Sequence, residues 1–114
     1  MELELMDASI LILHPKQPFI DWVNDQLIRD DLPTVTTENY NDECGLHTYL
    51  IPDFEELPKA NRWLRKHYLS LFEEELAGWI TDENDWPEDL SYKVFAQWFD
   101  FEFNLMVFDL RNTR

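Results

Sequence analysis

Between residues 98 and 110 every second position is apolar. Phe99, Phe101, Phe103, Leu105 and Val107 alternate with Asp100, Glu102 and Asn104. A period of two is that of a strand with one dry face and one wet face. From Met106 the wet face turns apolar too, through Phe108 and Leu110, which predicts a strand passing into a place covered on both sides. Three phenylalanines on one face need a large surface to lie on. The C-terminal strand is therefore expected in the interior of a sheet, with the rest of the chain supplying its cover.

Upstream, Leu3 and Leu5 alternate with Glu2 and Glu4 and are expected to extend a first strand or to fray. The unbroken run Ile10-Leu11-Ile12-Leu13 predicts a strand covered on both faces. Pro15 and Pro18 end it, since prolines so close stop both ladder and helix. Phe19, Trp22, Val23, Gln26 and Leu27 then fall at helical spacing and predict a helix over 18–28, with Pro18 in its first turn. Residues 34–37 are β-prone, 38–45 are turn-rich and acidic, and 46–51 read as a strand stopped by Pro52. One strand after a long loop is expected there in preference to a hairpin. Two entries to the next helix are open. Asp53 can cap it with Glu56 in capping-box register, or the helix can start near Leu57 with Pro58 in its first turn. Ala60, Leu64, Tyr68, Leu71, Phe72, Leu76 and Trp79 then recur at three- and four-residue steps. A helix over 58–79 spans roughly 30 Å and is the first candidate to cover the phenylalanine face. Ser91 is placed to cap a short helix over 92–97, and residues 111–114 form a polar tail. The sum is an α+β domain covering 1–114. Its small mixed or antiparallel sheet has three to four strands, helices on at least one face, and the C-terminal strand interior.

Composition fits this picture. A chain of 114 residues buries roughly two thirds of its unfolded surface, enough to fold without metal or disulfide. Eight Phe, five Trp and four Tyr supply the bulk of a small core. Cys44 is the only cysteine, so no internal disulfide forms, which points to a reducing cytoplasmic setting. The acidic start differs from a secretory leader, and no apolar run approaches the ~20 residues of a membrane span. Twenty-four acids against nine bases give a net charge of −15. That charge repels nucleic-acid phosphate and anionic lipid and attracts a basic partner.

Charge also has a pattern along the long helix. Lys59, Arg62, Arg65 and Lys66 lie in its first half and Glu73, Glu74 and Glu75 in its second. Both groups oppose the helix macrodipole, at a few tenths of a kcal/mol each (about 0.3 at exposed sites). Three arrangements account for this: pairing with acids such as Glu55 or plain solvation, an anion or partner site, or antiparallel pairing of the helix with its copy.

Candidate chemistry is sparse. Asp42, Glu43, Cys44 and His47 form one cluster in which an imidazole can activate a thiol, or two side chains can begin a metal site. A zinc site needs three or four ligands, and His14 and His67 have no such spacing, so a loop cysteine and a strand histidine are the plainer alternative. Asp82, Asp85 and Glu88 offer oxygens for calcium, but their stretch lacks the central glycine and the twelfth-position glutamate of an EF-hand. His14 and His67 can each carry a proton or simply sit on the surface. There is no glycine-rich phosphate loop, nucleophile elbow or zinc-protease motif, and no cofactor is expected. The expectation is a non-enzymatic, acidic, cytosolic protein that binds a basic protein partner, of immunity, antitoxin or nucleic-acid-mimic type. Asp82, Glu83 and Asp85 would steer the encounter, Trp86 or Tyr40 would anchor it, and Arg62, Arg65 and Lys66 would form a second contact patch. Two alternatives stand beside it: a small thiol- or metal-dependent enzyme centred on Cys44 and His47, and a structural homodimer through the helix over 58–79.

Overall fold

The computed structural model describes residues 3–111. Glu2 of the first alternation and residues 112–114 of the polar tail lie outside the described residues. In chain order the elements are β1 (Glu4–Leu5), β2 (Ser9–Pro15), α1 (Gln17–Arg29), α2 (Tyr40–Cys44), β3 (Thr48–Ile51), α3 (Leu57–Ala77), α4 (Tyr92–Trp98), β4 (Phe99–Asn104) and β5 (Phe108–Asp109). The fold is α+β. An antiparallel three-stranded sheet has the order β3-β2-β4, and β1 pairs antiparallel with β5 in a separate ribbon.

The C-terminal strand is not interior: β2 holds the centre of the sheet and β4 lies on an edge. Alternation reports the two faces of a strand and is silent on whether a neighbour flanks it. The acids on β4, Asp100 and Glu102, are of the kind that keeps an edge from pairing with another chain. The second correction concerns the end of that segment. Met106 is 66 % exposed, and Phe108 and Leu110 are exposed as well. The ladder pairs Ile10 with Asn104 but Leu5 with Phe108. One extra residue therefore sits in the N-terminal strand, as in a β-bulge, and it turns Leu5 to the same side as Phe108. Ile10 and Ile12 are only half-buried, and Leu50 beside Ile10 is 65 % exposed. The expected cover on both faces of β2 is absent, and the helices pack on one face.

That inner face carries Leu11, Leu13 and Phe99. Phe99 meets Phe19 of α1 at 4.7 Å, Phe95 of α4 at 5.4 Å and Phe72 of α3 at 6.1 Å between ring centroids. The cover is thus shared by three helices. Helix α3 starts at Leu57 with Pro58 in its first turn, and its cap position, Glu56, makes no side-chain cap bond, so the capping box at Asp53 does not form. Ser91 caps α4 as its sequence predicts, accepting from Val94 N at 3.3 Å.

The segment after α1 positions the cleft described next. Leu32 N donates to Leu27 O at 2.8 Å and Asp31 N to Ile28 O at 3.1 Å, with Asp31 at φ 55°. This closes the helix in a left-handed turn usually given to glycine or asparagine. Asn24 then takes both backbone groups of Val35, donating to its carbonyl at 2.9 Å and accepting from its N–H at 2.8 Å. Residues 34–37 are thereby held as a loop and form no strand, and Tyr40 is carried into the core.

Candidate functional site

Helix α2 ends at Gly45, whose φ of 79° turns the chain back toward β3. His47 precedes that strand, and Tyr49 within it pairs with Leu11 and points to the inner face. There it meets the last turn of α3. Glu75 is three residues past Phe72 and four before Trp79, so it falls on the apolar stripe and its side chain is only 7 % exposed. The Tyr49 hydroxyl donates to Glu75 Oε1 at 2.7 Å, and His47 Nδ1 donates to the same oxygen at 2.9 Å. Across the gap, Trp79 Nε1 donates to the Tyr40 hydroxyl at 3.2 Å. Tyr40, Glu43, Cys44, His47, Glu75 and Trp79 line a cavity of about 290 Å³. A second cavity of about 470 Å³, walled by Leu27, Leu32 and Val35, shares Glu43, Cys44 and Trp79 with it.

The electrostatics are set by burial and by Glu75. Burial, and then the negative charge of Glu75, push the Tyr40 phenol up to about 12 from its ordinary 10.0. Burial first, then the hydrogen bond to Glu75, push Tyr49 up further. The Cys44 thiol is also pushed up, by burial and by Glu43. The structure brings Cys44 and His47 to one cavity, but a thiol held in its protonated form is the opposite of an activated nucleophile.

No family model, curated protein or solved structure matches the chain.

What the cleft can do therefore rests on its own chemistry. Glu75 fixes the imidazole of His47 in orientation through Nδ1, and among the described residues no hydrogen bond is made to its second ring nitrogen. Among the described residues no three His, Cys, Asp or Glu side chains converge to hold a metal ion. The acidic loop is ordered by its own contacts. Asp82 accepts from Asn84 N at 3.0 Å, Asp85 pairs with Arg29 at 3.8 Å, and the Asp85 carbonyl accepts from Trp22 Nε1 at 3.0 Å. Glu83 and Glu88 are exposed, and Trp86 is half-buried with its indole donating to Ile80 O at 2.9 Å. The basic residues divide. Arg65 lies 4.4 Å over the Tyr92 ring, while Lys59, Arg62 and Lys66 border a shallow hollow with Phe54 and Trp63. None of these three is in an ion pair within the described residues, Glu55 included. His67 stacks on Trp63 at 4.6 Å, and His14 pairs with Glu102 at 2.9 Å.

The sequence pairs Cys44 with His47, and the structure places both in the wall of one cavity with Glu75 and Trp79, and Tyr49 on Glu75, three residues that the sequence pattern does not join to them. The signal was an acid in register with Leu71, Phe72 and Leu76, hidden inside the run Glu73-Glu74-Glu75.

The tyrosines give a pH dependence. A phenol ionises to an anion, so a raised folded-state value favours the neutral form in the fold. The stabilisation is fully present below the unfolded value of about 10 and is lost as pH rises through about 12 at Tyr40. Ultraviolet titration of phenolate is expected to show late ionisation coupled to unfolding, with Tyr40→Phe and Tyr49→Phe each removing one late step. Titration of both groups near 10 in folded protein contradicts this.

Proposed function

We propose that the protein is a non-enzymatic, acidic, cytosolic binding protein whose partner is a basic protein. The supporting observation is the concentration of negative charge around the cleft. Glu73, Glu74 and Glu75 close α3 at the negative end of its macrodipole, with no basic residue in the last turn, and Glu43 of α2 lines the same cavity as Glu75. Only five carboxylates among the described residues take part in an ion pair, so most of the charge is left to act outward. Charge of this kind steers encounter and rejects wrong partners more than it adds raw affinity. Burial and Glu43 push the Cys44 thiol up, away from the thiolate a nucleophile needs, which weighs against the thiol-enzyme alternative. No helix among the described residues is long and apolar enough to cross a membrane.

The test is retention of protein from a soluble extract of the source cells on the immobilised chain at about 0.05 M and about 0.5 M salt, conditions on either side of strong screening. Proteins of basic isoelectric point are expected to be held at the lower salt, released at the higher, and held less well by a Glu43→Gln, Glu74→Gln double variant. Retention of no basic protein at low salt removes the proposal.

A further inference from the structure

Resting on the reading of a basic partner, we infer that the cavity beside Glu75 receives a single alkylammonium or guanidinium head group, from a lysine or arginine side chain or from a free organic amine of the same chemistry. The starting point is the two oxygens of Glu75. Oε1 accepts from both Tyr49 and His47. Among the described residues no side chain or backbone group donates to Oε2. No buried side-chain nitrogen or oxygen lacks a hydrogen-bond partner there, so Oε2 keeps contact with solvent, and Glu75 is part of the cavity wall. A side chain more than nine-tenths buried thus keeps one oxygen free of protein donors in the wall of a formed hollow. A carboxylate oxygen met only by solvent is open to a charged donor that displaces that solvent.

Three features select a cation over a neutral donor. Glu43 stands on the rim of the same cavity. The last carbonyls of α3 point toward this end with no basic side chain to offset them. Tyr40 and Trp79 wall the cavity, and the faces of such rings attract ammonium and guanidinium groups. The hydrogen bond between the two rings holds the indole in place. At about 290 Å³ the hollow lies at the small end of ligand pockets, which span roughly 300–1,000 Å³. That suits a head group better than a large ligand. The adjoining cavity, with Leu27, Leu32 and Val35 in its wall, supplies apolar surface for the aliphatic stem.

The experiment is an amide and indole NMR titration of the full chain with n-butylguanidinium, n-butylammonium and n-butanol. A parallel titration uses a short lysine-containing peptide and the same peptide acetylated on its lysines. Saturable shifts at the Trp79 indole and the Gly78 amide are expected for the two cations and the unmodified peptide. Butanol and the acetylated peptide are expected to leave both signals in place. Glu75→Gln keeps an acceptor for Tyr49 and is expected to weaken binding at least about tenfold. Glu43→Gln, at an exposed position that leaves the fold undisturbed, is expected to weaken it less. Binding by the peptide and by both small cations supports the site with either source, and binding by the peptide alone supports it with a polypeptide source. Shifts scattered over the acidic surface and unchanged in Glu75→Gln overturn the inference, as does silence at Trp79 and Gly78 with every probe. Salt-dependent retention of basic proteins that persists in Glu75→Gln leaves the broader proposal standing while this one falls.

Discussion

Phe95→Ala is expected to remove about 3–5 kcal/mol of stability, the range for truncating a fully buried phenylalanine. Phe95 is 0 % exposed and its ring meets those of Tyr68, Phe72, Tyr92, Phe99 and Phe101 at centroid separations between 5.2 and 6.3 Å. It belongs to α4, a helix of seven residues whose own hydrogen bonds cannot sustain it in water. The ring therefore joins α4 to α3 on one side and to the edge strand β4 on the other. Relaxation can refill little of the cavity, because the surrounding rings are held from three separate elements. Domains of this size are stable by about 5–15 kcal/mol in total, so the variant is expected to be marginal or unfolded at room temperature. Urea denaturation followed by tryptophan fluorescence checks this. The midpoint should fall steeply with the slope unchanged, and Phe95→Leu, which keeps most of the apolar volume, should fall much less. A loss below about 1 kcal/mol in the alanine variant contradicts the central place given to this ring.

The same cluster shows what the chain's pattern encodes. Alternation at Phe99, Phe101 and Phe103 specified a strand and its dry face, and the helical stripe from Ala60 to Leu76 specified α3, because burial on one side imposes a period. Neither period says which strand sits beside which, so the place of β4 on an edge was not legible. The exposed apolar face of the β1–β5 ribbon is hidden from the pattern for a related reason. Met106 and Phe108 look like core by composition, yet they continue the solvent-facing side of Asp100, Glu102 and Asn104 without a change of phase, and the extra residue between Leu5 and Ile10 turns Leu5 to join them. Helix α2 looks like an acidic turn in sequence because Tyr40-Asn41-Asp42-Glu43-Cys44 has weak helical propensity. Tertiary contact decides it: Tyr40 is buried against Phe19 and Trp79. The cleft was half legible for the same cause. Cys44 and His47 are neighbours in sequence, whereas Glu75 reaches them only through the packing of α3 against β3.

Ser9→Ala is expected to lose about 1–3 kcal/mol, although the residue carries no charge and fills little space. Ser9 is 0 % exposed at the start of the central strand. Its hydroxyl donates to Leu105 O at 3.1 Å and accepts from Phe54 N at 3.0 Å. One oxygen thus ties β2 to the end of β4 and to the loop that leads from β3 into α3. Alanine removes no apolar contact but leaves a part-buried N–H and a part-buried carbonyl without this partner, and the cost is that of the orphaned groups. The damage should also be local in a defined way. The Ser9–Leu105 bond sits where the three-stranded sheet gives way to the β1–β5 ribbon, so the ribbon loses the tie at its base. A two-stranded ribbon with exposed Leu5 and Phe108 has little stability of its own. Hydrogen exchange of the Phe54 and Met6 amides is expected to accelerate more in Ser9→Ala than that of amides in the middle of α3. Met6 N donates to Val107 O at 2.7 Å inside the ribbon. Uniform acceleration across the chain would instead show that the hydroxyl stabilises the fold as a whole and does not anchor the ribbon.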